Sequence, residues 1–366
     1  MQHYETSIRK LLNQADQLPE SAAKLALLEE AVGIADTHNN IDLGIEIRRQ
    51  LMWVARNLLR GDILTVAFTW CLTHYDQEPD RFKGHDLFHE YEMVIGQLSN
   101  LPDISRSTME EMLHDFGRRL QAAGQSPWRV HYTQRFIAPD WGDRDLARTA
   151  SKAMHDLRPG ARWSNHPDEV GKQIEIEVFL GNEDRALELG ERFLNGDWRG
   201  MMSAGSFAPS LLLPLHKRQR HDEAARLYKR LQRSFHPERC YYWPYGEMIK
   251  WLTLAGDLPQ AIKTYEQCQR AFQPFTDPLT RLHFALDAIV LFDRMVQTGP
   301  PIRAMRLSEI VPVPQDEGRY RVADLRDWLH REARELAARF DARNGNDYFQ
   351  QQIHERIELQ QWVTID

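Results

Sequence analysis

Cysteine is scarce in this chain. Three residues in 366, Cys71, Cys240 and Cys268, are too few and too scattered for a disulfide framework, and they suit a reducing compartment. No apolar run approaches the roughly 20 residues that span a bilayer. The opening MQHYETSIRKLLNQ lacks the apolar core of a signal peptide. Catalytic fingerprints are missing too: there is no GxSxG, P-loop, HExxH, CxxC or dinucleotide motif. Glu175 and Glu177 stand two apart, on different faces of a helix, and form no carboxylate pair. The polar run Asp341, Arg343, Asn344 and Asn346 is accounted for by helix capping and a local Asp–Arg pair. No Ser/Gly-rich linker divides the chain, and a net charge of −7 disfavours sequence-independent nucleic-acid binding. With 42% hydrophobic and 27% charged residues, the expectation is a folded cytoplasmic protein without enzymatic role, cofactor or metal.

What is present is a pattern written three times. FLGNEDRALELGERFL (Phe179–Leu194), HKRQRHDEAARLYKRL (His216–Leu231) and LTLAGDLPQAIKTYEQC (Leu252–Cys268) each carry a turn and then an alanine five residues on. The turns begin at Gly181, Gln219 and Gly256; the alanines are Ala186, Ala224 and Ala261. Four residues later comes Gly190, Tyr228 or Tyr265. A turn glycine permits positive φ and stops a helix. A methyl group then fits where two backbones cross, and a ring one turn later fills the gap to the next hairpin. Extended backwards, the ruler gives turns at Gly61 and Gly142, with Val66 and Ala147 at the crossing. Successive spacings are 81, 39, 38 and 37, so one further turn falls near residue 100, where LSNLPDISRST supplies it around Pro102.

The remaining segments fit helices around that body. Residues 1–60 read as three helices, broken first at Gln17–Ser21, with stripes such as Leu25, Leu28, Ala31, Val32 and Ala35. His85 and His89 lie one turn apart near Glu92, a spacing compatible with zinc, but no third ligand follows at motif distance. Residues 125–166 are rich in arginine and tryptophan. They can form an aromatic–basic groove, although Trp128, Trp141 and Trp163 each sit at a hairpin edge and read more simply as wedges. The cations Lys217, Arg218, Arg220, Arg226, Lys229, Arg230 and Arg233 make one basic edge, read first as a solvated face and second as a phosphate-binding one. After Gly299 come four prolines in Pro300–Tyr320, then a long helical stripe from Val322 to Phe340, a turn at Asn344-Gly345 and a last helix, Tyr348–Trp362.

Small at the crossing and large one turn later resembles the logic of tetratricopeptide repeats. The run from Gln173 to Phe272, the proline-rich crossing and WLHREARELAARFDARNGNDYF (Trp328–Phe349) resemble a group of uncharacterised bacterial proteins of that kind, with FDARNGN the most specific part. The resemblance implies an all-α fold: a right-handed α-solenoid of about seven degenerate hairpins over residues 1–300, capped by 301–366. More than 60% helix and no sheet are expected. It also implies a scaffold that binds another protein or peptide, of acidic character, on a concave face lined by the first helix of each hairpin. Register then selects His89, Glu92, Arg129, Tyr132, Glu175, Ser206, His216, Lys217, Trp243 and Lys250. Two alternatives stay open: a sensor that responds to a ligand or signalling peptide, and an RNA-associated accessory protein.

Overall fold

Five helices begin where the sequence supplies a side-chain oxygen. Ser21, Asn40, Ser105, Asp143 and Asp277 each accept, on the side chain, the backbone N–H three residues later, at 2.8–3.3 Å. The computed structural model describes residues 3–82, 87–157, 167–196, 207–234, 243–271, 277–309 and 311–362, and 77% of these are helical. The helices are α1 (His3–Asp16), α2 (Ala22–Thr37), α3 (Ile41–Asn57), α4 (Gly61–Gln77), α5 (Phe88–Ser99), α6 (Arg106–Ala122), α7 (Trp128–Ile137) and α8 (Arg144–Asp156). After them come α9 (Pro167–Phe179), α10 (Glu183–Leu194), α11 (Leu212–Lys217), α12 (His221–Ser234), α13 (Trp243–Leu254) and α14 (Leu258–Ala271). The last are α15 (Pro278–Thr298), α16 (Val322–Asn344) and α17 (Tyr348–Glu358). No helix among the described residues is long and apolar enough to cross a membrane.

The chain divides into two compact units, residues 1–133 and 134–366. In the first, α1 packs on α2, α2 on α3, α3 on α4 and α5, and α5 on α6. Its core includes Leu28, Ile47, Met52 and Leu64, with Phe116 stacked on Tyr91 at 5.3 Å. Cys71 is buried there, and burial pushes its thiol up to about 12, which makes it inert. In the second unit, α9 packs on α10, α11 on α12 and α13, α13 on α14 and α15, and α15 on α16 and α17. Cys268 is buried in that unit's core; Cys240 lies outside the described residues.

The turns share one geometry. Asn39, Leu59, Gly142, Gly181, Gln219 and Gly256 all have positive φ, between 51° and 83°. The following residue returns its N–H to a carbonyl five positions back, for example Asn182 to Glu177 at 2.8 Å and Asp257 to Leu252 at 3.0 Å. This is the left-handed helix stop that satisfies otherwise orphaned carbonyls. Five residues after each of the last four lie Ala147, Ala186, Ala224 and Ala261, all fully buried. Val66 breaks the expected series, because it is 72% exposed. The left-handed residue there is Leu59, and Gly61 is already the first residue of α4, so the crossing position is the fully buried Leu64. Gly61 has another reason to be small: a Cβ would stand 2.8 Å from Gln97 Cγ. Gly190, found in place of an aromatic ring, is pressed against Leu211, whose Cδ1 would lie 2.6 Å from an added Cβ.

The expectation of no sheet is corrected. Strands β1 (Ile302–Ala304), β2 (Gln315–Asp316) and β3 (Arg319–Arg321) form an antiparallel sheet in the order β1-β3-β2. Prolines keep Pro300–Pro314 out of a helix, so its free backbone groups need other partners. Glu317 and Gly318, both at positive φ, form the two-residue turn that aligns β2 with β3. Tyr320 of β3 points into the core beside Val322 and Leu325.

The buried alanines set a stability test. Ala224→Leu and Ala261→Leu are each expected to cost about 1–3 kcal/mol, since no space remains for three more carbons. Val66→Leu is expected to stay within about 0.5 kcal/mol on its exposed face. Urea unfolding followed by circular dichroism measures all three; equal midpoints would dissolve the distinction between crossing and exposed positions.

Candidate functional site

Charged side chains pair between helices that are not consecutive in the chain, α3 with α5, α5 with α7, α7 with α9 and α13 with α15. In the first unit, Arg49 of α3 donates from Nε to Glu90 of α5 at 2.7 Å, although Glu90 is buried. Arg129 of α7 grips Glu92 of α5 in two-pronged fashion at 2.8 and 2.9 Å. His89 approaches Glu92 at 3.5 Å and lies 6.1 Å from the half-exposed Trp53 ring. Burial works to raise the Glu92 carboxyl, but His89 and Arg129 outweigh it and hold it below the usual range.

In the second unit, Arg135 of α7 and Glu169 of α9 pair through two bonds of 2.7 Å, each side chain only 2% exposed. Gln173 adds a third contact to the same carboxylate at 3.0 Å. On α9, Glu175 binds Lys172 at 2.9 Å. Glu175 keeps 17% of its side-chain exposure, yet burial, reinforced by the nearby Glu247 charge, pushes its carboxyl up despite Lys172. Its side chain is thus mostly enclosed, with a small part left to solvent. On α13, Lys250 lies between Glu247 at 2.7 Å and Asp287 of α15 at 3.0 Å, and is itself 2% exposed. Arg356 of α17 reaches Asp287 at 3.7 Å. One turn before Asp287, His283 faces the Phe349 ring at 5.9 Å. Burial drives the His283 imidazole down to about 4, helped by Arg356 and Lys250 and opposed by Asp287. The ring is therefore neutral at physiological pH.

The residues expected on the concave face fall as follows. His89, Glu92 and Arg129 are brought together, and Tyr132 packs edge-on to Trp128 at 6.0 Å. Glu175 and Lys250 share one electrostatic neighbourhood through Glu247. Lys217 turns to Glu183 of α10 at 2.7 Å, and His216 is buried against the Trp362 carbonyl at 2.7 Å. Ser206, His85, Trp163 and the Trp243 side chain lie outside the described residues. Sequence reasoning missed Arg135, Glu169, His283, Asp287 and Arg356, whose partners sit on other helices, and Glu247, whose partner Lys250 is three residues on in α13. The basic edge is largely occupied: Arg218 binds Asp184, Arg220 binds Glu223, and Arg230 donates to the Phe193 and Leu194 carbonyls. Among the described residues, no group of three histidines, cysteines or carboxylates could hold a metal ion.

A second cluster is the FDARNGN corner, which gathers where α16 turns into α17. Asp341 accepts the N–H groups of Phe349 at 2.9 Å and Gln350 at 3.0 Å, so its charge caps α17. Asn344 and Arg343 donate to the Asp140 carbonyl, and Asn346 to the Trp141 carbonyl. Tyr348 lies so close to Gly142 that a Cβ on that glycine would come within 2.3 Å of it. The corner is thus a clasp between the C-terminal helices and the α7–α8 turn. Comparison of the chain with family models, curated proteins and solved structures returns no match.

Two outcomes follow from the buried charges. Lys250→Met is expected to cost about 3–5 kcal/mol in urea unfolding, because Glu247 and Asp287 lose their shared cation. For His283, the folded pKa near 4 lies below the ordinary 6.5. Between those values the unfolded chain holds the extra proton, so stability falls as pH drops from 6.5 to 4 and is unaffected above 6.5. One such group contributes a slope of at most about 1.4 kcal/mol per pH unit. The stability of wild type relative to His283→Gln should fall as pH drops across that range; a difference that does not change with pH would show His283 to titrate normally.

Proposed function

We propose that this chain is a binding protein that holds a peptide segment of another protein on the faces of its first helices. Within each unit the helix pairs are read as a right-handed, tetratricopeptide-like solenoid, with first helices inward. Support comes from the repeated left-handed turns, the buried alanines five residues on, and the contacts of α3 with α5, α11 with α13, and α13 with α15. The observation that carries the functional reading is the mostly enclosed polar cluster of Glu175, Glu247, Lys250, His283 and Asp287. It spans three first helices and keeps Glu175 and His283 within reach of solvent.

The cluster suits recognition better than catalysis. Its charges are engaged in pairs, and its histidine is held neutral by burial. Lys217, Arg129 and Lys250 were the cations offered to an acidic ligand, and each is engaged by a carboxylate. A ligand here would be read by exchange of existing pairs and by hydrogen bonds to Glu175 and His283, not by a free positive field.

Peptides selected by display against the full chain test this. They are expected to lose at least tenfold in affinity on the Glu175→Gln, His283→Asn double variant, with its circular dichroism unchanged. Equal affinity for that folded variant would move the binding site off this face.

A further inference from the structure

After Glu358 the chain leaves α17 and continues as a single 3₁₀ turn, Leu359–Trp362. The Leu359 N–H stays bonded to the Glu355 and Ile357 carbonyls of α17, and the turn also makes longer-range contacts with α11, α13 and α15. Leu359 is buried with Leu254 of α13 and Val290 of α15, beside Leu213 of α11, in a cluster separate from the main core. Gln360 donates from Nε2 to the Val290 carbonyl at 2.9 Å. The Trp362 carbonyl meets His216 Nε2 of α11 at 2.7 Å, while the Trp362 ring is 41% exposed. Arg356, one turn before Leu359, reaches Asp287. The start of α17 is anchored differently, with Phe349 and Ile353 inside the main core.

We propose that Leu359–Trp362 is an internal occupant of a peptide-docking groove formed by α11, α13 and α15. A partner peptide displaces it by offering a cation, a leucine three positions on and then an amide, the chemistry of Arg356, Leu359 and Gln360. The inference rests on the peptide-binding reading above and specifies its ligand, which is basic and apolar in place of acidic. The occupant shows what the groove accepts: Asp287 takes the cation, Leu254 and Val290 the leucine, the Val290 carbonyl the amide, and His216 a main-chain carbonyl. Among the described residues, one buried apolar side chain and two hydrogen bonds tie the turn to α11, α13 and α15, so exchange there gives up little that an incoming peptide does not restore. Being tethered, the turn competes at high effective concentration. A groove free only one part in a hundred weakens the apparent affinity for a partner about a hundredfold.

The test uses a fluorescent peptide of His354–Trp362, titrated into the full chain and into a chain ending at Glu358. At least tenfold tighter binding to the shortened chain is expected, and the peptide carrying Leu359→Asp should not bind. The full chain with Leu359→Ala and Gln360→Ala should show an intermediate gain. Equal affinity for all chains, or no binding to a shortened chain that keeps its helical signal, would overturn the proposal. Loss of that helical signal would overturn it as well, by making the turn part of the fold. Display-selected peptides that bind the Glu175–His283 face without competing with the His354–Trp362 peptide would leave the binding reading standing and remove only this one.

Discussion

A charge taken out of water must meet its opposite, and this requirement sets how α7 meets α9 and how α13 meets α15. Stripping a carboxylate or guanidinium of solvent costs several kcal/mol per ion unless pairing and hydrogen bonds replace it. Arg135 and Glu169 are almost wholly enclosed and satisfy each other twice over. Apolar faces such as those of α13 and α15 tolerate a shift of register, since one leucine contact replaces another. The Lys250–Asp287 contact does not, because a turn's displacement leaves two buried charges apart. In our reading hydrophobic packing supplies the adhesion between successive pairs, and the ion pairs choose the register.

The same requirement explains what could be read from the sequence. Turn and crossing positions at Gly181, Gln219 and Gly256 were legible because they rest on local backbone geometry and one methyl group. The ruler slipped at Gly61 since glycine marks two different needs, a left-handed turn or a close neighbour, and here Gln97 is the neighbour. The small sheet was hidden because prolines announce only that a helix is excluded, while the signal for pairing was the short Glu317-Gly318 turn. The ion pairs are a subtler case. Arg129 and Glu92 are 37 residues apart, Arg135 and Glu169 34, and Arg49 and Glu90 41, each about one repeat. Opposite charges one period apart were therefore present in the sequence. The variable period blurred them, and a charge within an amphipathic helix reads as solvent-facing until its partner is known.

The C-terminal region does more than cover a last hairpin. Asn344, Arg343 and Asn346 reach backbone carbonyls about two hundred residues earlier, and Tyr348 closes on Gly142 and on the Phe179 ring at 5.7 Å. These contacts fix the start of α17 with backbone-directed hydrogen bonds, buried aromatics and the Asp341 cap. Its far end relies on Leu359 and a few polar contacts. The helix is thus held firmly at the clasp and lightly at the turn.

That asymmetry also bears on the polar cluster. Arg356 and Phe349 belong to α17, and both face residues of that cluster: Arg356 meets Asp287, and Phe349 meets His283. Burial is the largest cause of the depressed His283 pKa, and α17 supplies part of that burial. Asp287 keeps Lys250 as a partner without Arg356, so withdrawing the cation does not orphan it. Phe349 sits at the firmly held start of α17, so displacement of the far end would withdraw the Arg356 charge from Asp287 while leaving the Phe349–His283 contact and the Lys250–Asp287 register lock in place. An interface whose electrostatics are completed by a weakly held segment can exchange that segment without losing the alignment of the helices beneath it.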